Sequence, residues 1–188
     1  MVDATDDEAR WIKLAMAGDF DSFAVLYTRH LNAIYRYIYY RTGDNQDAED
    51  LTEQVFLKAW KAMPNYKAAG CCFINWLYRI SHNIVVDHHR HQNLIRNEAL
   101  ENELCLTGEP QEATLDAIIL AEEASCLAAA IRRLPDEYQQ VVILRFIEGL
   151  GYAEIGHILD KSEGACRGIQ HRALTALNKL INVQQERV

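Results

Sequence analysis

The sequence predicts an all-α fold in which two helical domains are joined by an acidic linker. Apolar residues recur at helical spacing in both halves, and no run alternates with the period of two that is typical of strands. Between the halves lies an acidic stretch in which Gly108 and Pro110 break any helical pattern. We therefore predict domains at residues 1–96 and 125–188, with the linker at 97–124.

The first predicted helices lie between residues 20 and 64. Apolar side chains from Phe23 to Ile38 follow the i, i+3/i+4 rule, and Gly43 ends that helix. Asp44 can cap the next helix, whose first turns are rich in acids that the helix dipole favours. Pro64 forces the stop.

A third helix begins at Phe73 and runs through FINWLYRISHNIVVDHHRH. It combines aromatic side chains with cations and amides, a mixture that suits unstacked single-stranded bases. Because large aromatic residues dominate cores, Phe73 and Trp76 are by themselves better explained as core residues.

The second half ends in a short helix, a tight turn and a longer helix that Ser162 can cap. This order is typical of a helix-turn-helix, whose second helix enters the DNA major groove with its N-terminal half. That part of the last helix exposes four candidate contacts, Arg167, Gly168, His171 and Arg172. A helical hairpin without a DNA role remains the alternative.

The charge distribution separates the linker from the rest. The chain has 27 acidic and 19 basic residues, a net charge of −8. Residues 97–131 hold eight acids and no Lys or Arg, whereas residues 64–96 carry a net +3. Such a segment is either a solvated spacer or a polyanion that mimics nucleic acid in a basic channel. Charge alone favours the spacer.

Composition excludes several other classes of protein. Hydrophobic residues make up 49% and charged residues 24%, as in an ordinary globular chain. No apolar run approaches the roughly 18–20 residues of a membrane helix, and the N-terminus is acidic where a secretory signal is basic. We therefore expect a cytoplasmic protein without membrane insertion.

The five cysteines are expected to be thiols, because the chain is expected to stay in the cytosol. No C-x-x-C pair is present that would form a zinc knuckle or a thioredoxin-like site. A redox role for the adjacent Cys71 and Cys72 is the alternative. His88 and His91 lie at i, i+3 and His82 precedes them by about a turn and a half, but no Cys or catalytic Glu stands at zinc spacing nearby. We expect no metal and no cofactor, and a His/Cys metalloprotein remains a minor hypothesis.

Three ordered segments resemble the bacterial sigma-seventy family, and within it the small group-four, extracytoplasmic-function type. They are DAEDLTEQVFLKAW, FINWLYRISHNIVVDHHRH and LPDEYQQVVILRFIEGLGYAEIGHILDKSEGACRGIQHRALTAL. The resemblance covers roughly residues 11–92 and 125–182. It implies that the first domain is sigma domain 2 and the last is sigma domain 4.

The resemblance implies site residues for three surfaces. For docking on the clamp helices of the large polymerase subunit they are Asp47, Glu49, Asp50, Leu51, Gln54 and Phe56. For recognition and melting of the minus-ten element they are Lys67, Phe73, Trp76, Arg79 and Asn83. For the minus-thirty-five element they are Arg167, Gly168, His171 and Arg172.

The implied partners are core RNA polymerase, through its clamp helices and flap, promoter DNA and an anti-sigma factor. The linker would thread the RNA exit region, and the chain itself would be no enzyme. Two features depart from the family pattern. The third helix ends in HHRH instead of a Lys or Arg run, and Ile169 and Gln170 exchange the usual polar and apolar order.

A one-component helix-turn-helix regulator is the main competing hypothesis. It requires only residues 132–182 and leaves the segment DAEDLTEQVFLKAW unexplained. Binding to duplex DNA without polymerase would favour it.

Overall fold

The first half of the chain is a bundle of helices. The computed structural model describes residues 4–67, 72–98 and 127–185, and all regular secondary structure in these ranges is helical, as predicted. The helices of the first half are α1 (Ala4–Met16), α2 (Phe20–Thr42), α3 (Asn45–Ala62) and α4 (Phe73–Glu98), with a 3₁₀ turn at Met63–Asn65.

Local signals set the ends of α2 and α3 as the sequence predicts. Gly43 closes α2 with a left-handed φ of +74°, a conformation that costs little only without a Cβ. Asp44 then caps α3, because its side chain accepts a hydrogen bond of 2.9 Å from the backbone N–H of Asp47. Pro64 lies in the 3₁₀ turn that follows α3.

Helix α1 is an element that the sequence-based interpretation missed. It packs against α2 and buries Ala15, while Trp11 and Ile12 rest on the edge of the core. The spacing of these three residues is helical, but a single apolar turn in an acidic segment is a weak signal. Packing against α2 therefore provides the stabilisation that α1 lacks from its own sequence.

The core of the first half forms where α2, α3 and α4 face one another. Leu26, Ile34, Val55, Leu77 and Val85 are each fully buried there. Helix α4 runs to Glu98, beyond the predicted end at His91. The linker predicted at residues 97–124 lies almost entirely outside the described residues.

Within residues 127–185, the second half contains four α-helices and one π-helical segment. They are α5 (127–132), α6 (Asp136–Val142), a π-helical segment at Ile143–Ile147, α7 (Tyr152–Leu159) and α8 (Glu163–Gln185). The sequence predicts one uninterrupted helix from Asp136 to Gly149. Instead, the N–H of Glu148 reaches back five residues to the carbonyl of Ile143, at 3.0 Å.

Helices α7 and α8 form the predicted helix-turn-helix. The Ser162 hydroxyl caps α8 by accepting the N–H of Ala165 at 3.2 Å. A Cβ on Gly156 would lie 2.5 Å from the Lys161 carbonyl oxygen, so only glycine lets the turn close this tightly. On α8, the inward face is carried by buried Cys166, Ile169 and Ala173.

The two halves contact each other through a carboxylate at the end of the π-helical segment. Glu148 accepts two hydrogen bonds of 2.8 Å from the Arg36 guanidinium of α2. It accepts a third, of 2.7 Å, from the Tyr78 hydroxyl of α4. The Glu148 side chain is 2% exposed, whereas that of Arg36 is 49% exposed, so water reaches this contact from the Arg36 side.

A second contact between the halves surrounds Arg41 at the end of α2. Its side chain is fully buried, donates to the Tyr37 hydroxyl at 3.3 Å and forms an ion pair with Asp136. Burial lowers the pKa of His82 and of His89, and the positive charge of Arg41 lowers each pKa further. Both imidazoles therefore favour their neutral forms in this arrangement.

Candidate functional site

The first candidate surface is the outer face of α3. Glu49, Asp50 and Gln54 are exposed there, as the predicted docking role requires. By contrast, Leu51 and Phe56 are only 4% and 3% exposed. Their side chains belong to the bundle core, so in this conformation they support the face without being presented to a partner.

Asp47, the remaining residue of the predicted docking set, is half-buried between α3 and α4. Its carboxylate lies 3.2 Å from Nε2 of His88 and accepts a hydrogen bond of 3.3 Å from Gln92. These bonds hold the N-terminal end of α3 against α4. A partner that binds Asp47 would compete with this pair.

A groove of about 560 Å³ lies between α3 and α4, beside the same face. Its lining includes two of the predicted docking residues, Leu51 and Gln54. The rest of the lining comprises Leu57, Lys58, Lys61, Ile84, Asp87, His88 and His91. The groove thus combines an apolar floor with mainly basic walls at the place where the sequence predicts docking.

The second candidate surface is a stripe on α4. Trp76, Arg79 and Asn83 follow one another at i, i+3 and i+7, so they share one side of the helix. Arg79 and Asn83 are exposed and Trp76 is half-buried. Lys67 is exposed at the start of the loop before α4, whose residues 68–71 lie outside the described ranges.

Phe73 does not join this stripe, because it is 2% exposed in an aromatic cluster. Its ring centroid lies 5.4 Å from those of Tyr66 and Trp76 and 5.6 Å from that of His30. The sequence alone favours a core role for Phe73, and its burial agrees with that interpretation. Trp76 is the member of the cluster that also reaches solvent.

The third candidate surface is the N-terminal half of α8. Arg167, Gly168, His171 and Arg172 are all exposed, opposite the buried apolar face of the helix. No atom lies within 4 Å of the place where a Cβ on Gly168 would be, so the fold does not require glycine there. The open space suits close approach by a bound molecule.

Tyr152, at the start of α7, contacts this surface but carries no role in the sequence-based interpretation. The Arg145 and Arg167 guanidinium carbons lie 4.7 and 4.9 Å from the centroid of its ring. Its hydroxyl donates to the side-chain oxygen of Gln170. The sequence signal was weak, because an aromatic residue at the start of a helix has many possible partners.

Two of the five cysteines, Cys72 and Cys166, lie in the described part of the chain. Among residues 4–67, 72–98 and 127–185, no three metal-binding side chains converge. Cys72 is exposed, Cys166 is buried and Cys71 lies outside the description. Burial raises the pKa of the Cys166 thiol, which disfavours the reactive thiolate.

Among the described helices, none combines the length and the apolar character that a membrane span requires.

Two family models match the two halves of the chain in the predicted order. The Sigma-70 region 2 model matches residues 26–95, which span α3 and most of α4. The Sigma-70 region 4 model matches residues 124–177, which include the helix-turn-helix. A one-component regulator would leave the first match unexplained.

Several characterised proteins are similar over most of this chain. The ECF RNA polymerase sigma factor BldN of Streptomyces coelicolor is 36% identical over 95% of this chain and 68% of its own length. SigE of Mycolicibacterium smegmatis is 33% identical, and the alignment covers 90% of this chain and 62% of SigE. SigW of Bacillus subtilis is 29% identical over 89% of this chain and 93% of SigW.

Solved structures support the same architecture. CnrH, solved in complex with the cytosolic domain of CnrY, aligns with a TM-score of 0.73 and 21% sequence identity. The alignment covers 95% of this chain and 99% of the CnrH chain. RpoE of Bartonella quintana, in complex with the anti-sigma factor NepR, has a TM-score of 0.68 with 20% identity. The alignment with RpoE covers 86% of this chain and 97% of the RpoE chain. Both family models and the identity to BldN lead to one conclusion: the chain belongs to the ECF sigma factors of the sigma-70 family.

Proposed function

We propose that this sigma factor directs transcription initiation through three surfaces, one on α3, one on α4 and one on α8. The exposed face of α8 carries the proposal. It presents Arg167, His171 and Arg172 together in the part of a helix-turn-helix that enters the major groove. Arginine can bond a guanine edge twice, and the basic side chains can also hold phosphates.

The minus-thirty-five element is read by α8 in this proposal, and Gly168 allows close approach of the helix to DNA. The minus-ten element is melted by the stripe on α4, where Trp76 offers a stacking surface and Arg79, Asn83 and Lys67 offer polar contacts. Phe73 supports Trp76 from the core. Unstacking a base costs a few kcal/mol, which such contacts can offset.

Core RNA polymerase docks on α3 in this proposal. Glu49, Asp50 and Gln54 contact the clamp helices, and Asp47 joins them when it leaves His88. Leu51 and Phe56 hold the helix in place from below. The last domain contacts the flap, and an anti-sigma factor competes for these surfaces. The linker at residues 97–124, between domains 1–96 and 125–188, threads the RNA exit region.

The two halves must separate for both promoter elements to be bound at once. The elements are about 25 base pairs apart, or ~85 Å along duplex DNA. A folded chain of this length has a radius of gyration of about 16 Å and is too small to span them. The 28 residues from 99 to 126 reach at most ~95 Å when extended, which is enough.

Catalysis belongs to the polymerase in this proposal, so the chain acts in the cytoplasm as a specificity subunit without a reaction, metal or cofactor of its own. Its net charge of −8 weakens non-specific DNA binding by the free chain. Promoter contacts therefore depend on assembly with the polymerase.

Open-complex formation tests the proposal directly. The chain is mixed with bacterial core RNA polymerase and a pool of promoter fragments, and unpaired thymines are detected with permanganate. We expect melting that depends on this chain. Specific binding to duplex DNA by the chain alone, without melting, would support the one-component regulator instead.

A charge reversal tests the docking face. Asp50→Lys is expected to weaken binding to core polymerase by about tenfold, because an exposed acid of α3 becomes a like charge for its partner. Asp21→Lys is the matched control, since Asp21 is an exposed acid on α2 outside the proposed face. Equal binding by both variants would argue against docking through α3.

A further inference from the structure

Tyr152 connects three elements of the second half at one side chain. It is the first residue of α7, its ring lies beneath the Arg145 guanidinium of the π-helical segment, and its hydroxyl bonds to Gln170 of α8. The same ring lies 4.9 Å from the Arg167 guanidinium carbon. Tyr152 itself is half-buried.

Apart from the Tyr152 ring, Arg167 makes one further side-chain contact within the described ranges. It is a 3.3 Å ion pair with Glu163, in which the two side chains are 63% and 55% exposed. Exposed pairs of this kind contribute little, because solvent screens them and both side chains are flexible. A ring face that attracts the guanidinium restricts the directions in which Arg167 can point.

Arg145 keeps the ring in place from the other element. Its guanidinium lies 4.7 Å from the ring centroid and donates to the Leu150 carbonyl at 2.8 Å. The loop before α7 is thereby fixed relative to Tyr152. The ring is therefore held by a half-buried Arg145, whereas Arg167 is the more exposed of the two arginines.

Gln170 connects Tyr152 to a second position on α8, through the bond from the Tyr152 hydroxyl. Its side chain is half-buried against the Tyr152 hydroxyl. Ile169 beside it is 3% exposed and packs in the core. The bond between Tyr152 and Gln170 therefore favours one rotation of α8 about its axis, and that rotation also aims Arg167.

We propose that Tyr152 is a positioning residue for promoter specificity, which orients Arg167 toward one base pair of the minus-thirty-five element. It acts through Arg167 and Gln170, without a base contact of its own. This inference rests on the proposed function, in which α8 reads that element. Tyr152→Leu removes the ring contacts with Arg145 and Arg167 and the bond to Gln170, whereas Tyr152→Phe keeps the ring and removes only the hydroxyl.

The test uses full-length chain assembled with bacterial core RNA polymerase. A promoter is first selected from a randomised pool by the unaltered holoenzyme, and Arg167→Ala identifies the base pair at which discrimination is lost. Discrimination is the ratio of open-complex formation on the selected promoter and on one changed at that base pair. For Arg167→Ala we expect this ratio to fall by about 5- to 150-fold, the range for a bidentate base contact.

For Tyr152→Leu we expect discrimination at the same base pair to fall by about 2- to 10-fold, in keeping with the strength of a cation–ring contact. Tyr152→Phe should retain most of it. In the double variant with Arg167→Ala, the leucine substitution should cause no further loss. If Tyr152→Leu fails to fold, as judged by circular dichroism, Tyr152→Met removes the ring with a flexible side chain of similar length.

Equal loss of activity on both promoters, with unchanged discrimination, would show that Tyr152 serves folding alone and would overturn the inference. Discrimination that Arg167→Ala leaves intact would overturn the proposed role of Arg167 and the inference with it. If Arg167→Ala lowers discrimination but neither Tyr152→Leu nor Tyr152→Met does, only the proposed role of Tyr152 is overturned.

Discussion

Replacing Glu148 by glutamine should weaken the contact between the two halves. The carboxylate is almost fully buried and accepts hydrogen bonds from Arg36 and Tyr78, which belong to the other half. Glutamine has nearly the same shape as glutamate but carries no charge. Its amide NH₂ group would also face the hydrogen-bond donors of Arg36 and Tyr78. The substitution therefore changes electrostatics more than packing.

The magnitude follows from the exposure of each partner. Arg36 is 49% exposed, so its ion pair is screened and contributes no more than about 1 kcal/mol. The Tyr78 hydroxyl is buried, and a hydrogen bond to a charged acceptor contributes about 1.5–3 kcal/mol. One acceptor oxygen survives in glutamine, so we expect a net loss of about 2 kcal/mol, or ~30-fold in the equilibrium between contact and separation.

Burial also raises the pKa of Tyr78, and the nearby Glu148 carboxylate raises it further. Tyr78 therefore remains a hydrogen-bond donor at any pH at which the protein would be studied. The contact should not depend on tyrosine ionisation.

Denaturant unfolding of the full chain measures the effect, and a double-mutant cycle with Tyr78→Phe isolates the contact. Asp87→Asn is the control, since its ion pair with Arg90 is 3.8 Å long and about 70% exposed on both sides. The control should change the free energy of unfolding by less than about 0.5 kcal/mol. A coupling free energy below about 0.5 kcal/mol between Glu148 and Tyr78 would refute the reasoning.

Three further predictions concern single positions. Gly156→Ala should destabilise the helix-turn-helix by about 1–3 kcal/mol, because its Cβ would lie 2.5 Å from a backbone carbonyl; a denaturant midpoint that stays unchanged would contradict this. Asp44→Ala should cost about 1 kcal/mol by leaving the N–H of Asp47 without its cap, measured as a lower Tm, and Asp44→Asn should restore most of it. The pKa values of His82 and His89 are lowered in the folded chain, so the unfolded chain binds more protons as the pH falls below about 6.5. The contribution of the two neutral histidines to the free energy of unfolding should therefore be fully present above that pH and decline below it. His82→Gln should reduce this decline, measured by denaturant unfolding between pH 7 and pH 5.

The candidate site was predictable wherever its signals are local. The helix-turn-helix followed from a short apolar helix, a tight turn and the Ser162 cap, all within about 25 residues. The exposed side of α8 followed from the same periodicity. Helical spacing also predicts the buried positions of Leu51, Phe56 and Phe73. The pairing of Asp47 with His88 and Gln92 was not local, because these residues lie 41 and 45 positions later in the chain.

The sequence by itself determined that the chain is helical, where α2 ends and α3 begins, and that two family regions follow one another. Caps, glycines and apolar periods act within a few residues, so they are readable without the fold. Tertiary structure alone decided that Glu148 meets Arg36, 112 residues earlier, and that Arg41 is buried against Asp136. It also decided that the ring of Tyr152 lies beneath Arg167, across the helix-turn-helix. Such partners are chosen by packing, since burial removes water as the alternative partner and leaves each charge only the groups that the fold brings near.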